Sequence, residues 1–227
     1  PEGGIWMNTQ RPEWNDANNA LVGNGVSMVT LYYLRRFLVF FQNILEKTTL
    51  QEIKISQELI DFYKNTRTIL EENSNLLNQS ISNEDRKKIT DSLGKSASSY
   101  RWHVYQHGFW GKKRSISVSG LQRFISVSIN YLEHSIKANK RNDGLYHAYN
   151  LASFETNTIT ISHLEEMLEG QVAALSSGYL STNEVLEIVE SLKNSALYRK
   201  DQNSYLLYPN KELPKFLDKN KISKHEI

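Results

Sequence analysis

Cysteine is absent from this 227-residue chain, and its absence removes several kinds of chemistry. Without it the protein has no disulfide framework, no thiolate metal site and no cysteine nucleophile. Long apolar runs are missing too, since no stretch reaches the 18 apolar residues that a membrane span requires. Charge of one sign is also scarce, because 27 basic and 25 acidic residues leave a net charge of only +2. We therefore expect neither nucleic acid nor a membrane as a partner.

Aromatic side chains, by contrast, are plentiful, at 11% of residues with 12 Tyr and 4 Trp. Such a content suits stacking on carbohydrate, and it suits a large core equally well. The length is enough for one domain that buries a sizeable core, and we interpret residues 1–227 as a single helical domain. Because residue 1 is Pro and not Met, we expect this chain to be a piece of a longer polypeptide, or a processed one.

Hydrophobic periodicity predicts an all-α fold built from paired helices. The first helix is apolar almost all round, as in helices buried on most sides, whereas the second is amphipathic. Ser82 and Ser181 are suited to cap helices, and Ser181 with Glu184 forms a capping-box pattern. The six predicted helices are 25–46, 51–79, 82–105, 117–139, 161–176 and 181–195.

The connections between these helices carry the polar and turn-forming residues. Residues 1–24 are predicted to be a loop of the kind that forms active sites, since a long loop on a compact domain is usually functional. Residues 145–160 are rich in Tyr, Thr and Asn and predict extended chain, as in a short hairpin. Within them, His147, Tyr149 and Asn150 are candidate pocket residues. The charged residues 210–227 predict a frayed tail.

The stretch 11–23 is the strongest candidate for a site. It is a turn-rich segment with two carboxylates and one large aromatic, and it leads directly into the most apolar helix. Loops held by a rigid scaffold often carry binding and catalytic groups. Trp14 offers a flat face for a sugar ring, Asp16 is a candidate proton donor, and amides can bind hydroxyls. The candidate substrate-binding residues here are Glu13, Trp14, Asn15 and Asn18.

The same stretch carries a resemblance to a known group of enzymes. Trp14-Asn15-Asp16, followed by Asn and Gly and then an apolar helix, resembles the Asp-Trp-Asn-Asp-Gly-Met-Asn segment of cellobiose and chitobiose phosphorylases. These are inverting enzymes of the (α/α)6-toroid glycoside hydrolases and phosphorylases. The resemblance implies that Asp16 is the general acid and that the helices form part of such a toroid. Because six helices are half of a twelve-helix ring, we expect the chain to be the C-terminal part of a larger glycosidase-like chain. Glu13 departs from the pattern, as does Ala17-Asn18 in place of Gly-Met.

An inverting hydrolase also needs a second carboxylate, about 6.5–9.5 Å from the acid, to activate water. Glu169 lies among apolar neighbours in a helical pattern, so we expect it to be partly buried and assign it this role. In phosphorolysis inorganic phosphate attacks instead, and no base is needed. The expected partners are an oligosaccharide or disaccharide, inorganic phosphate in the second case, and the remainder of the polypeptide. No cofactor and no metal are expected.

A second aromatic cluster occupies residues 100–114. Trp102 and His107 are assigned there to a substrate-facing rim, and the basic residues 112–114 are candidates for holding phosphate. A packed turn between helices explains the same residues. Although His103 and His107 share a helical face, a metal site lacks a third ligand. A site for single-stranded nucleic acid is the remaining alternative.

The stretch 11–23 also has a purely structural explanation, because Asn and Asp often make local backbone bonds where a helix begins. Two functions therefore stay open. One is a carbohydrate-active enzyme that cleaves a glycosidic bond with inversion, and the other is a non-catalytic helical binding module. An Asp16 that points into a concave, aromatic-lined pocket favours the enzyme, and an Asp16 that caps the next helix favours the module.

Overall fold

Two β-sheets lie at opposite ends of four long helices in the computed structural model, which describes residues 1–6, 24–210 and 213–219. The helices are α1 (Met28–Lys47), α2 (Gln57–Glu72), α3 (Asn83–His107), α4 (Val118–Ala138), α5 (Leu168–Ser176), α6 (Thr182–Asn194) and α7 (Phe216–Lys219), with a 3-10 turn at Ser74–Asn78. The strands are β1 (Ile5–Trp6), β2 (Gly25–Ser27), β3 (Glu52–Ser56), β4 (Lys113–Ser117), β5 (Tyr149–Phe154), β6 (Ile159–His163), β7 (Tyr198–Arg199) and β8 (Ser204–Tyr205).

The prediction of an all-α fold is wrong. Of the described residues, 56% are helical and 16% are in strands, so the fold is mixed α and β. The main sheet is antiparallel with strand order β1-β2-β5-β6, and β3-β4 and β7-β8 form two smaller sheets. The paired-helix arrangement of a toroid therefore does not describe this domain.

The missed strands have a common sequence signature. In β3 the isoleucines Ile53 and Ile55 alternate with Glu, Lys and Ser, which is the period of a strand. Ile53 also fits a helical period, so it was assigned to the predicted helix 51–79. That helix begins at Gln57. Ile159 and Ile161 alternate in the same way in β6, and the helix predicted from residue 161 begins at Leu168.

Other predicted elements are confirmed. Strands β5 and β6 form the hairpin expected around residues 145–160. The helices predicted at 82–105, 117–139 and 181–195 are found as α3, α4 and α6. Ser82 and Ser117 each accept a backbone N–H bond at the helix start, and Ser181 with Glu184 forms the full capping box.

The largest core joins one face of the main sheet to α1, α4, α5 and α6. Tyr149 on β5 packs there with Met28 and Tyr32 of α1, and all three are at most 2% exposed. Gly170 on α5 lies so close to β5 that an added Cβ would come within 3.0 Å of the Ala148 backbone. This close packing fixes α5 against the start of β5, where two of the candidate residues lie.

The four long helices separate the two larger sheets. Helix α1 follows β2 of the main sheet directly and leads to β3 at its other end. At 1.5 Å per residue its 20 residues span about 30 Å. We call the end with the main sheet the near end and the end with β3 and β4 the far end.

Candidate functional site

The segment 7–23 begins and ends on neighbouring strands of the near end. Asp16, Glu13, Trp14, Asn15 and Asn18 lie outside the described residues, but both flanks of the segment are described. Trp6 closes β1 and pairs with Val26 of β2. On the returning side, the Ala152 N–H donates a hydrogen bond of 2.8 Å to the Asn24 carbonyl. The two described flanks of the segment therefore lie close together at one edge of the main sheet.

An exposed aromatic pair lies directly beside this edge. The rings of Trp6 and Phe154 meet edge-to-face with centroids 5.2 Å apart, and 50% and 46% of these residues are exposed. Next to them is an open cleft of about 370 Å³. It is lined by Asn24, Leu151, Ala152, Ser153, Phe154 and Ser162. Exposed aromatic faces next to amide and hydroxyl groups suit a polyhydroxylated ligand.

A carboxylate–phenol pair lies on the helix side of the same sheet. The Tyr149 hydroxyl donates a hydrogen bond of 2.9 Å to Oε2 of Glu169, the first-turn carboxylate of α5. Tyr149 and the cleft residue Leu151 share a face of β5 two residues apart, which is about 7 Å. Glu169 is half-buried, as expected from its apolar neighbours. The structure thus brings Tyr149 and Glu169 together, on the face of the sheet opposite to the Trp6–Phe154 pair.

His147 forms part of a stacked histidine pair. Its ring lies parallel to that of His163 with centroids 4.0 Å apart and planes 8° apart. His147 Nδ1 faces the Leu164 carbonyl at 3.2 Å, and because a carbonyl only accepts, this nitrogen carries the proton. Burial, and then the neighbouring His163 and Arg141, lower the pKa of His147 to about 4. The pKa of His163 is lowered too, by burial and by Arg141, so both rings are neutral at pH 7.

Beneath the sheet lies a buried polar network. Asn150 is fully buried and donates to the Gly3 carbonyl at 2.7 Å and to Asn139 Oδ1 at 2.8 Å. Its own Oδ1 accepts from His163 Nδ1 at 2.8 Å, which orients that ring. Arg86 on α3 bonds to the Ile159 carbonyl on β6 at 2.9 Å. These contacts hold the strands in place, so Asn150 has a structural role instead of lining a pocket.

The remaining predicted residues lie at the far end. Trp102 and His107 belong to the last turns of α3, and their rings meet edge-to-face with centroids 5.6 Å apart. Arg86, near the start of the same helix, contacts the main sheet, and 16 residues of helix place Trp102 about 24 Å from it. Lys113 and Arg114 belong to β4. The structure therefore does not bring Trp102, His107 or the basic residues to the cleft beside the segment 7–23.

Sequence reasoning missed three residues of the near end: Trp6, Phe154 and His163. Each lies on a strand, and register places Trp6, Phe154 and His163 on one face of the sheet. The alternating pattern of β5 and β6 could have placed Phe154 and His163 on strands. No pattern in the sequence indicates that β1 pairs with β2, which lies beyond residues 7–24.

In the described part of the chain, no group of three or more His, Asp or Glu side chains is arranged to hold a metal ion. Nor does any helix in the described ranges have the length and apolar character to cross a membrane.

Comparisons with known proteins add no assignment. No model of a protein family matches the sequence, and no curated protein matches it significantly.

Proposed function

We propose that this chain acts on a carbohydrate and cleaves a glycosidic bond with inversion, with Asp16 as the general acid. One observation supports this most directly. The segment that carries Asp16 and Trp14 starts and ends beside the exposed Trp6–Phe154 pair and its cleft. Any sugar bound in that cleft would lie next to the base of the segment.

In the proposed reaction the protonated carboxyl of Asp16 donates its proton to the glycosidic oxygen. The bond between that oxygen and the anomeric carbon then breaks, and a nucleophile attacks the opposite face of the sugar. In hydrolysis Glu169 takes a proton from the attacking water, while the Tyr149 hydroxyl keeps its carboxylate oriented. In phosphorolysis phosphate attacks directly, and Glu169 is not required.

The position of the basic residues bears on the choice between hydrolysis and phosphorolysis. Lys112 and Arg114 lie beyond α1, about 30 Å from the sheet that holds the cleft. They are therefore too distant to hold a phosphate that attacks a sugar in the cleft. This arrangement favours hydrolysis over phosphorolysis for the described part of the chain.

The test is a panel of disaccharides assayed with and without inorganic phosphate, with the anomer of the product read by NMR. Asp16→Asn should lower turnover by about 10²-fold or more, since a positioned acid contributes about 10²–10⁴-fold. Glu190→Gln is the matched control, because it removes an exposed carboxylate on α6 that has no assigned role, and it should retain most of the activity. Glu169→Gln should abolish hydrolysis and spare phosphorolysis. Equal turnover by Asp16→Asn and the parent chain would refute the assignment.

A non-catalytic binding module is the second candidate, and one surface favours it. Helix α1 exposes large apolar side chains at three- and four-residue spacing, with 44–60% of each residue exposed. They are Tyr33, Phe37, Phe40 and Ile44. An exposed apolar stripe of this kind is typical of interaction surfaces. Sugar binding without turnover by the parent chain, on the same panel, would support the module and exclude the enzyme.

A further inference from the structure

A second pocket lies at the far end, in the groove between α2 and α3. Its volume is about 340 Å³, within the range of small-molecule sites, which is about 300–1,000 Å³. Three segments form it: the first two turns of α2, the last turns of α3 and the chain that leads into β4. It shares no residue with the near-end cleft, from which α1 separates it by about 30 Å.

Two buried polar atoms in this wall lack partners among the described residues. Glu58 is 6% exposed, and its Oε1 accepts a hydrogen bond of 2.8 Å from the Trp110 backbone N–H. Its Oε2 has no hydrogen-bond partner, and neither has the Oγ of Ser96, which is 9% exposed. Buried polar groups are nearly always paired in folded proteins. Two unpaired groups in the wall of one pocket therefore indicate a ligand that supplies hydrogen-bond donors.

The ionisation of Glu58 fits a ligand that donates hydrogen bonds. Hydrogen bonds from the Trp110 N–H and from its own backbone N–H hold the pKa of Glu58 below its ordinary value. The side chain is therefore a carboxylate at neutral pH and can only accept hydrogen bonds. A hydroxyl group on a ligand is a suitable donor to it, and Ser96 can either donate or accept.

Aromatic rings supply the apolar part of the pocket. The rings of Phe62 and Tyr100 stack with centroids 5.2 Å apart and planes 18° apart. The Trp110 ring meets His103 edge-to-face at 5.0 Å, and 56% of Trp110 remains exposed. Trp110 thus presents free aromatic surface over the pocket, beside the anchored carboxylate.

The charges around the pocket select against ionic ligands. Glu58 and Asp61 on α2 are opposed by Lys112, just before β4, and Arg114, within it, so the formal charges of these four residues cancel. An anion would meet the two carboxylates, and a cation would meet the two bases. The other polar groups in the wall include uncharged amides and hydroxyls, such as Asn65 and Ser99.

We propose that this far-end pocket binds a neutral sugar, with Trp110 stacking on the ring and Glu58 and Ser96 accepting its hydroxyls. Neither unpaired atom is open to solvent, so binding requires both side chains to rotate towards the sugar. The site holds carbohydrate without cleaving it, and it does not depend on the reaction proposed for Asp16.

The four tryptophans make a direct test possible, because their indole N–H groups give separate NMR signals. Each signal is assigned by single Trp→Phe substitutions, and cellobiose and maltose are then titrated into the Asp16→Asn chain, which keeps a cleavable probe intact. We expect a saturable shift of the Trp110 signal and no matching shift of Trp102. Shifts of Trp6 or Trp14 report separately on the near-end site, so failure of either proposal is recognised independently of the other.

Single substitutions then test which residues contribute to sugar binding at the far end. Trp110→Ala should weaken far-end binding by about tenfold, as loss of a stacking aromatic does. Trp102→Ala is the matched control, since it removes an equally exposed tryptophan of the same region that does not line the pocket. Ser96→Ala should also weaken binding, and circular dichroism confirms that each variant is folded.

Three results would overturn the proposal. The first is the absence of a saturable Trp110 shift with either disaccharide at tens of millimolar. The second is an equal loss of affinity in Trp110→Ala and Trp102→Ala. The third is a tighter response of Trp110 to inorganic phosphate or putrescine, which would assign the pocket to an anion or a diamine instead.

Discussion

The stacked pair His147–His163 predicts that the protein loses stability in mild acid. The unfolded chain binds a proton on His147 near its ordinary pKa of 6.5, whereas the folded chain does so only near 4. Between these values the unfolded state binds more protons, so stability is complete above pH 6.5 and falls as the pH drops towards 4. The protonation of His147 takes place at the near end. There His163 and Arg141 lower the pKa of the ring, and Asp143 raises it.

The magnitude follows from the same difference in pKa. It corresponds to at most about 3 kcal/mol, at 1.36 kcal/mol for each pH unit. Because the ring is half-buried, solvent screening reduces the effect to about 1–2 kcal/mol. Part of it, about 1 kcal/mol, should be lost between pH 7 and pH 5.

The assay is equilibrium urea unfolding at pH 7, 6 and 5. His147→Gln keeps an N–H that can donate to the Leu164 carbonyl, but it cannot titrate, so its stability should depend less on pH than that of the parent chain. His107→Gln is the control, because it removes an exposed histidine at the far end. If the stability of His147→Gln retains the full pH dependence of the parent, protonation of this ring does not cause the loss of stability in acid.

Two further predictions concern the packing that supports the near end. Gly170→Ala should destabilise the protein by about 1–3 kcal/mol in urea unfolding, because the new Cβ would lie 2.9 Å from the Cα of Ala148 and helix α5 would have to shift. A Gly170→Ala chain as stable as the parent would contradict this close packing. Ile188→Ala should cost about 2–5 kcal/mol by thermal or urea unfolding, since Ile188 is completely buried in the core. Val189→Ala, its 51% exposed neighbour, should change stability by under about 0.5 kcal/mol, and similar losses in both would show that this face of α6 is wrongly assigned.

Local signals in the sequence predicted the helices well. The capping box of Ser181 and the acidic first turn after Ser82 mark helix starts through contacts within three residues. Such signals depend on neighbours in the chain and can be read without the fold. The short strands were harder, because Gly25–Ser27 is too brief to show alternation and forms only when β1 and β5 pair with it.

The candidate sites show the same division between local and distant contacts. Glu169 was identified from its apolar neighbours in sequence, but its partner Tyr149 is 20 residues away. Glu58 lies on a helix that was predicted only to be amphipathic, and its hydrogen bond comes from Trp110, 52 residues further along the chain. Trp102 and His107 were assigned to the substrate rim by composition alone, and α3 carries them to the other end of the molecule.

The separation of the two ends limits how they can act together. A disaccharide is far shorter than the roughly 30 Å length of α1, so one such molecule cannot occupy both the near-end cleft and the far-end pocket. Their side chains share no direct partner, since the Trp6–Phe154 pair belongs to the main sheet and Trp110 leads into β4. Substitutions at sites this far apart usually have additive effects. Asp16→Asn should therefore leave sugar binding at Trp110 unchanged, and Trp110→Ala should leave the turnover of a disaccharide unchanged. A longer oligosaccharide that reaches both ends would couple them, because binding at the far end would raise its effective concentration at the near end.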